Sequence, residues 1–509
     1  MVLKKFALAA VLLATTAMPG LAGKADDTLN WATDREVSVV DPYYNTAREL
    51  LIMGHMGWDG LILLNPDSGD YEPLLATSWE WKGNTAVEFD LREGVKFHDG
   101  SDFDADDVVY TVNFISNEDN GVLTFSQASW MKEAIKLDKY KVRIELHEPY
   151  PNSMAYLSNE ISIVPEGHYD DAPKGPDGKP DYGAVAPVGA GPYKMTELKS
   201  GEYVLWERFE DYYEGGAKGT PQIGKIKFRA IKENNTQIAE LLTGGLDWIW
   251  DVPKEQALRM ADSGQVQVVN AKTLRISYLS FDVDGSSGQD FFTNKLVRQA
   301  VAHAINREAI AENLVGPASV VINSACHPEQ FGCTDDVPKW DYDPEKSKAL
   351  LAEAGYPDGF TFDLYAYRER EFTEAVIGDL ANVGIRANLN YLQYSKLVEL
   401  VWEGVPPLHH MTWGSSSIPD VAAITSHFFS GGQDDPAMDP RTAEALKRGD
   451  TTIDPKEREA AYAEALSIIS GELYWLPMFT YTKYYAFSND LDFVPTSDEI
   501  PRFYSAKWK

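Results

Sequence analysis

Short apolar runs of strand length alternate with amphipathic runs of helical spacing along most of the 509-residue chain, and the alternation predicts an α/β fold. Asp41-Pro42 breaks the first segment. A helix is predicted over 46–58 and a strand over 61–64, followed by the turn cluster Asn65-Pro66-Asp67-Ser68-Gly69-Asp70. Strands at 86–91 and 142–146 lie around a helix at 105–115. The Pro/Gly/Asp/Lys stretch 171–180 has no period and reads as a loop, and Gly189-Ala190-Gly191-Pro192-Tyr193 reads as a second turn-rich boundary. Further on, Thr293 is the expected N-cap of a helix that places Leu296, Val297, Ala300, Val301, Ala304 and Ile305 on one face. Asp343 and Pro344 open another helix, which Gly355 stops. Pro455 opens a long helix to 469, and 479–487 is strand-like.

The N-terminus departs from this alternation. Lys4 and Lys5 precede an apolar run from Phe6 to about Ala17, and small residues follow. That is the pattern of an export signal over 1–25, cleaved after Ala22 or Ala25; a buried N-terminal helix is the plainer alternative. No Cys stands at the cleavage site, so no lipid anchor is expected, and no later run reaches the length of a membrane span. The expected location is the periplasm. The net charge of −32 argues against nucleic acid and anionic lipid as partners. Its ordinary meaning is solubility, and its functional meaning would be a field that favours cationic ligands. The two cysteines, Cys326 and Cys333, form a close pair that in an exported chain predicts a disulfide. With His327 they would still be one ligand short of a closed zinc site.

Catalytic arrangements are missing. The sequence contains no His-Glu-x-x-His, no Gly-x-Ser-x-Gly and no phosphate-binding Gly-x-x-x-x-Gly-Lys. Gly189-Ala190-Gly191 lacks the third glycine of a dinucleotide loop. His409 and His410 are adjacent, so on a strand they point to opposite sides. The expectation is a protein that is not an enzyme and carries no cofactor and no metal.

The run from Asp90 to Gly100, Asp-Leu-Arg-Glu-Gly-Val-Lys-Phe-His-Asp-Gly, followed by Asp104-Ala105-Asp106-Asp107-Val108-Val109-Tyr110, resembles the signature of the family 5 periplasmic solute-binding proteins of ABC importers. Further landmarks follow in family order: 188–193, Asp211-Tyr212-Tyr213, 241–247, 297–305, 342–346 and 350–356. The resemblance implies a two-lobed periplasmic-binding-protein fold with an extra domain, mixed sheets flanked by helices, and a hinge. Lobe I would comprise 26–65, 187–285 and 481–509, domain II 66–186 and lobe III 286–480. It also implies a monomer that encloses a small solute, a peptide or peptide-like compound, between lobes I and III and delivers it to permease and ATPase subunits.

On the same resemblance, the ligand-binding candidates are Tyr44, Asn45, Trp250, Asp251, Arg368, Arg370, Tyr394, Trp413, Ser415 and Tyr481. Trp248 and Trp250 would share one strand face. Asp251 is the candidate partner for an ammonium, and Arg368 and Arg370 for a carboxylate. The loop 413–420 carries Ser415, Ser416 and Ser417 where peptide binders have an ammonium-clamping Asp. That motivates an oligosaccharide or opine-like ligand as the alternative. A nickel or haem carrier would draw on His409, His410 and His427.

Overall fold

The computed structural model describes residues 23–509 except Asp67 and Asp177. Residues 1–22 of the expected export signal, and with them a cleavage after Ala22, lie outside the described residues. Among the described residues no helix is long and apolar enough to cross a membrane.

One ten-stranded mixed sheet carries the molecule. Its order is Arg386–Tyr391, Thr361–Ala366, Leu408–Trp413, Val266–Phe281, Trp475–Ser488, Trp248–Ile249, Thr28–Thr33, Lys225–Ala230, Tyr203–Arg208 and Tyr193–Lys199. The last five strands form a first lobe and the first three a second lobe. The two long antiparallel strands Val266–Phe281 and Trp475–Ser488 belong to both. Residues 266–272 pair with 482–488 in the first lobe, and 276–281 lie against Leu408–Trp413 in the second. Between these stretches the register breaks at Lys272/Ile276 and again at Ile276/Tyr278. A bulge there bends the strands and increases their twist.

A separate four-stranded sheet, Ala76–Trp81, Ala86–Leu91, Lys141–Leu146 and Met131–Asp138, packs beside the first lobe. The helix Ala105–Ile115 covers it. This helix starts where Asp104 accepts the Asp106 N–H while Asp107 accepts the Asp104 N–H, a reciprocal cap. Phe89 and Val108 from this domain share one core with Trp31 and Trp206 of the first lobe. The second lobe is apolar on both sheet faces. Ile276 and Tyr278 face one core, Leu279 and Phe281 the other, as a period of two requires.

Most predicted elements fall where the pattern put them. Asp343 caps the helix Pro344–Glu353, and Asp454 caps Pro455–Glu472. The cap predicted at Thr293 shifts by one: Asn294 accepts the Leu296 N–H, because Thr293 closes the preceding turn Asp290–Thr293. Gly191 packs against backbone, since a Cβ there would lie 2.5 Å from Trp58 N and Met56 O. Cys326 and Cys333 are disulfide-bonded with Cα atoms 5.8 Å apart.

Candidate ligand cleft

The cleft is assembled from residues that sit at element ends and irregularities. Arg275 lies inside the register break of the strand Val266–Phe281. Its Nη1 donates to Thr412 Oγ1 at 3.1 Å, and its Nη2 is 4.0 Å from Glu499. Gly414 makes room for it, since a Cβ there would be 2.8 Å from Nη2. Arg48 opens the helix Arg48–Gly57 of the first lobe. Its Nη1 donates to Ser417 Oγ of the second lobe at 2.5 Å and to Asp498 O at 3.3 Å. Ser417 Oγ in turn donates to Asp498 O at 2.6 Å, so the two lobes are tied at this point. Ser415 and Ser417 both hold left-handed backbone, with φ of 51° and 65°. Non-glycine residues rarely adopt it, and it clusters at functional loops.

Three cavities adjoin one another along this line. The first, of about 330 Å³, lies beside the start of the helix Arg48–Gly57 and is lined by Arg35, Asn45, Arg48, Asn159, Glu160 and Arg275. The second, of about 880 Å³, lies between the four-stranded domain and the second lobe, with Tyr150, Asn152, Trp413, Ser415 and Arg458 in its walls. The third, of about 730 Å³, is within the second lobe and is lined by Tyr278, Tyr394, Trp413, His427, Asp434 and Trp475 among others. Gln127 lines the first and second, while Trp413 and His427 line the second and third. Trp413 and His427 are stacked at 4.8 Å and 10° between planes, so this pair is the partition.

Several buried polar atoms along these walls have no hydrogen-bond partner in the protein: Asn159 Oδ1 and Nδ2, Gln127 Oε1, Ser415 Oγ and Arg275 Nε. Asn159 is only 7 % exposed. Each such group costs about 1–3 kcal/mol when left unsatisfied, and these residues line cavities in which a polar ligand or water would satisfy them.

The charges are unevenly distributed. Lys483 lies 3.2 Å from Asp251 and 2.9 Å from Glu499, with its ammonium 4.1 Å over the Trp250 ring. Burial alone would raise the Glu499 carboxyl, but Lys483, Arg275 and Arg48 overcome this and hold it well below the ordinary range. Asp420 pairs with Arg458 at 2.8 Å, and Arg458 also donates to Asn152 Oδ1 at 3.3 Å, joining the second lobe to the four-stranded domain. Burial pushes Glu160 up to about 7, against the pull of Arg48.

The expected site residues divide. Asn45, Tyr394, Trp413 and Ser415 line the three cavities. Tyr44 lies away from them: its hydroxyl donates to Asn120 O at 2.7 Å and its ring packs against Tyr169 and Tyr182. Trp248 is fully buried in the first-lobe core, and the strand ends at Ile249, so Trp250 packs against Trp248 under Lys483. Asp251 is half-exposed and paired with that lysine. Arg368 is bound to Glu369 at 2.9 Å over the ring of Tyr481, whose hydroxyl donates to Glu369. Arg370 pairs with Glu374 on the exposed face of its helix. The two arginines expected to meet a carboxylate thus line none of the three cavities, and each is paired with a neighbouring glutamate. His410 sits between Ser277 and Thr373 hydroxyls at 2.7 and 2.8 Å, and burial lowers His409 and His410 to about 4, which leaves both neutral at pH 7. Among the described residues no group of three His, Cys, Asp or Glu is placed to hold a metal.

Sequence reasoning passed over Arg48, Arg275, Asn159 and Glu160. Two signals were available. Arg48 places a cation at a helix N-terminus, against the helix dipole. Arg275 is the one charge in the run from Leu274 to Phe281.

Residues 70–435 match the family described as bacterial extracellular solute-binding proteins, family 5 Middle. The glutathione-binding protein GsiB of Salmonella paratyphi A is 28 % identical over 499 residues, 92 % of each chain. The structure of HbpA2 from Haemophilus parasuis superposes with a TM-score of 0.81 at 22 % identity, covering 95 % of this chain and 100 % of that one. The periplasmic binding protein DppA from Helicobacter pylori, in complex with the peptide STSA, gives 0.76 at 22 % identity, covering 94 % and 98 %.

Proposed function

Since the chain belongs to the bacterial extracellular solute-binding proteins of family 5, we propose that it captures a peptide or peptide-like solute between its two lobes in the periplasm and hands it to the permease of an ABC importer, a separate ATPase subunit driving transport. The observation that carries this reading is the line of unpartnered buried polar atoms, Asn159, Gln127, Ser415 and Arg275, along adjoining cavities. The second and third cavities have largely apolar, aromatic walls and a few fixed polar groups, as solute sites do, and the first is the more polar end. A peptide backbone presents alternating donors and acceptors that could satisfy them, and the aromatic walls of the third cavity suit a side chain. The domain limits expected from the family resemblance belong to the same reading, with the shared strands as the hinge.

Calorimetry with di- to pentapeptides and glutathione tests it, and binding by members of the set is the expected result. The aromatic faces of Tyr394 and Trp413 favour one second reading, an oligosaccharide or an amino acid–sugar conjugate. Heat from those solutes with silence from every peptide would replace the first reading by the second.

A further inference from the structure

We propose that the cavity at the Arg48 end of the cleft is a carboxylate subsite, so that the solute is anchored there through an anionic group. This rests on the solute-binding reading above and specifies the ligand class. Three guanidinium groups, Arg35, Arg48 and Arg275, line a cavity of about 330 Å³. Among the described residues, neither Arg35 nor Arg48 has a carboxylate within 4.0 Å. Arg275 has only Glu499, at 4.0 Å, and that carboxylate is committed to Lys483 at 2.9 Å. Asp498, close by in sequence, is bound to Arg502 at 2.6 Å. The one carboxylate in the cavity wall is Glu160, which burial holds protonated up to about pH 7. The cavity wall thus sets one carboxylate, Glu160, against three guanidinium groups, with Glu499 behind them and shared with Lys483.

Donors remain unspent on both guanidinium groups. Arg48 spends Nη1 on Ser417 and Asp498, and Arg275 spends Nη1 on Thr412 and leaves Nε without a partner. A guanidinium fork is matched to the two oxygens of a carboxylate. An independent feature points the same way: Asn159, 7 % exposed, lines this cavity with both amide atoms unpartnered.

Carboxylates lie farther along the cleft: Asp282, Asp284, Asp434 and Asp435 line the third cavity, and Glu148, Glu444 and Asp450 the second. Nearer the Arg48 end, Asp251 and Glu499 share Lys483, and Asp420 is held by Arg458. An ammonium would have to compete with a resident cation at these three. The Arg48 end of the cleft thus carries a sign opposite to the net charge of −32. Overall charge is set by the solvated surface, whereas the local field at this subsite is set by Arg35, Arg48 and Arg275.

The test is calorimetry on matched probes: tripeptides as free acids, as C-terminal amides and as N-acetyl acids, together with N-acetyl amino acids and their amides. Free acids are expected to bind about tenfold or more tighter than amides, a charge-assisted pair being lost. Arg35→Gln, an exposed position, and Arg48→Gln should each shrink the acid-to-amide ratio. Equal affinity for acid and amide, or a ratio untouched by both substitutions, overturns the subsite and leaves the solute-binding reading standing. Binding of N-acetyl amino acids with silence from all peptides does the reverse. Silence from every probe overturns both.

Discussion

Glu160 shows how a single buried carboxyl writes a pH dependence into the protein. Its folded value of about 7 lies above the 4.5 of an unburied glutamate. Between those two values the folded chain holds a proton that the unfolded chain has released. The group's contribution to stability is therefore at its most favourable below about 4.5 and is lost as pH rises through 7. Glu160→Gln removes that slope. The variant should match the parent near pH 4.5 and exceed it at pH 8 by at most about 3 kcal/mol. Urea midpoints at the two pH values measure the difference. Gly414 allows a second prediction. In Gly414→Ala the new methyl displaces the Arg275 guanidinium, so solute affinity should fall about tenfold while the melting temperature barely moves. At this scale the sequence was half legible. Trp413, Ser415 and Tyr394, expected from a family pattern, line the cavities of the cleft. Arg368 and Arg370 lie outside these cavities, each paired with a neighbouring glutamate. Only the fold reveals that Arg48 and Arg275, distant in sequence, line one cavity.

Elements with a local cause were read well. Asp343 announces its helix because its carboxylate accepts an N–H of the first turn, and Pro455 marks the start of another, where Asp454 accepts two. The strand predicted over 479–487 is longer in fact, Trp475–Ser488. Pro477 concealed its start, since proline cannot donate to a ladder; the register break opposite Tyr278 is what accommodates it. The loop 326–333 is closed by the disulfide. Replacing both cysteines by serine should cost about 2–3 kcal/mol, chiefly by freeing the unfolded chain. Denaturant midpoints of the double variant against the parent give that number, and treating the parent with a thiol reductant should reproduce it.

For the whole molecule, the class and the alternation of strand and helix were visible in the pattern, but the single sheet was not. Pairing of 266–281 with 475–488 joins segments some two hundred residues apart, and no local signal encodes such a contact. The same strands set the expected motion. If the lobes close on solute, small-angle scattering should show a smaller radius of gyration with a bound peptide than after the protein has been stripped by unfolding and refolding. An unchanged radius would mean that the Arg48–Ser417 tie holds the lobes together without solute.

The two continuous strands also bear on any attempt at dissection. A cut that frees the second lobe must sever both Val266–Phe281 and Trp475–Ser488 in mid-run, and each fragment would then expose raw backbone edges where its central strands had been. Neither half is a module that can be lifted out, and heating should melt the pair in one calorimetric step.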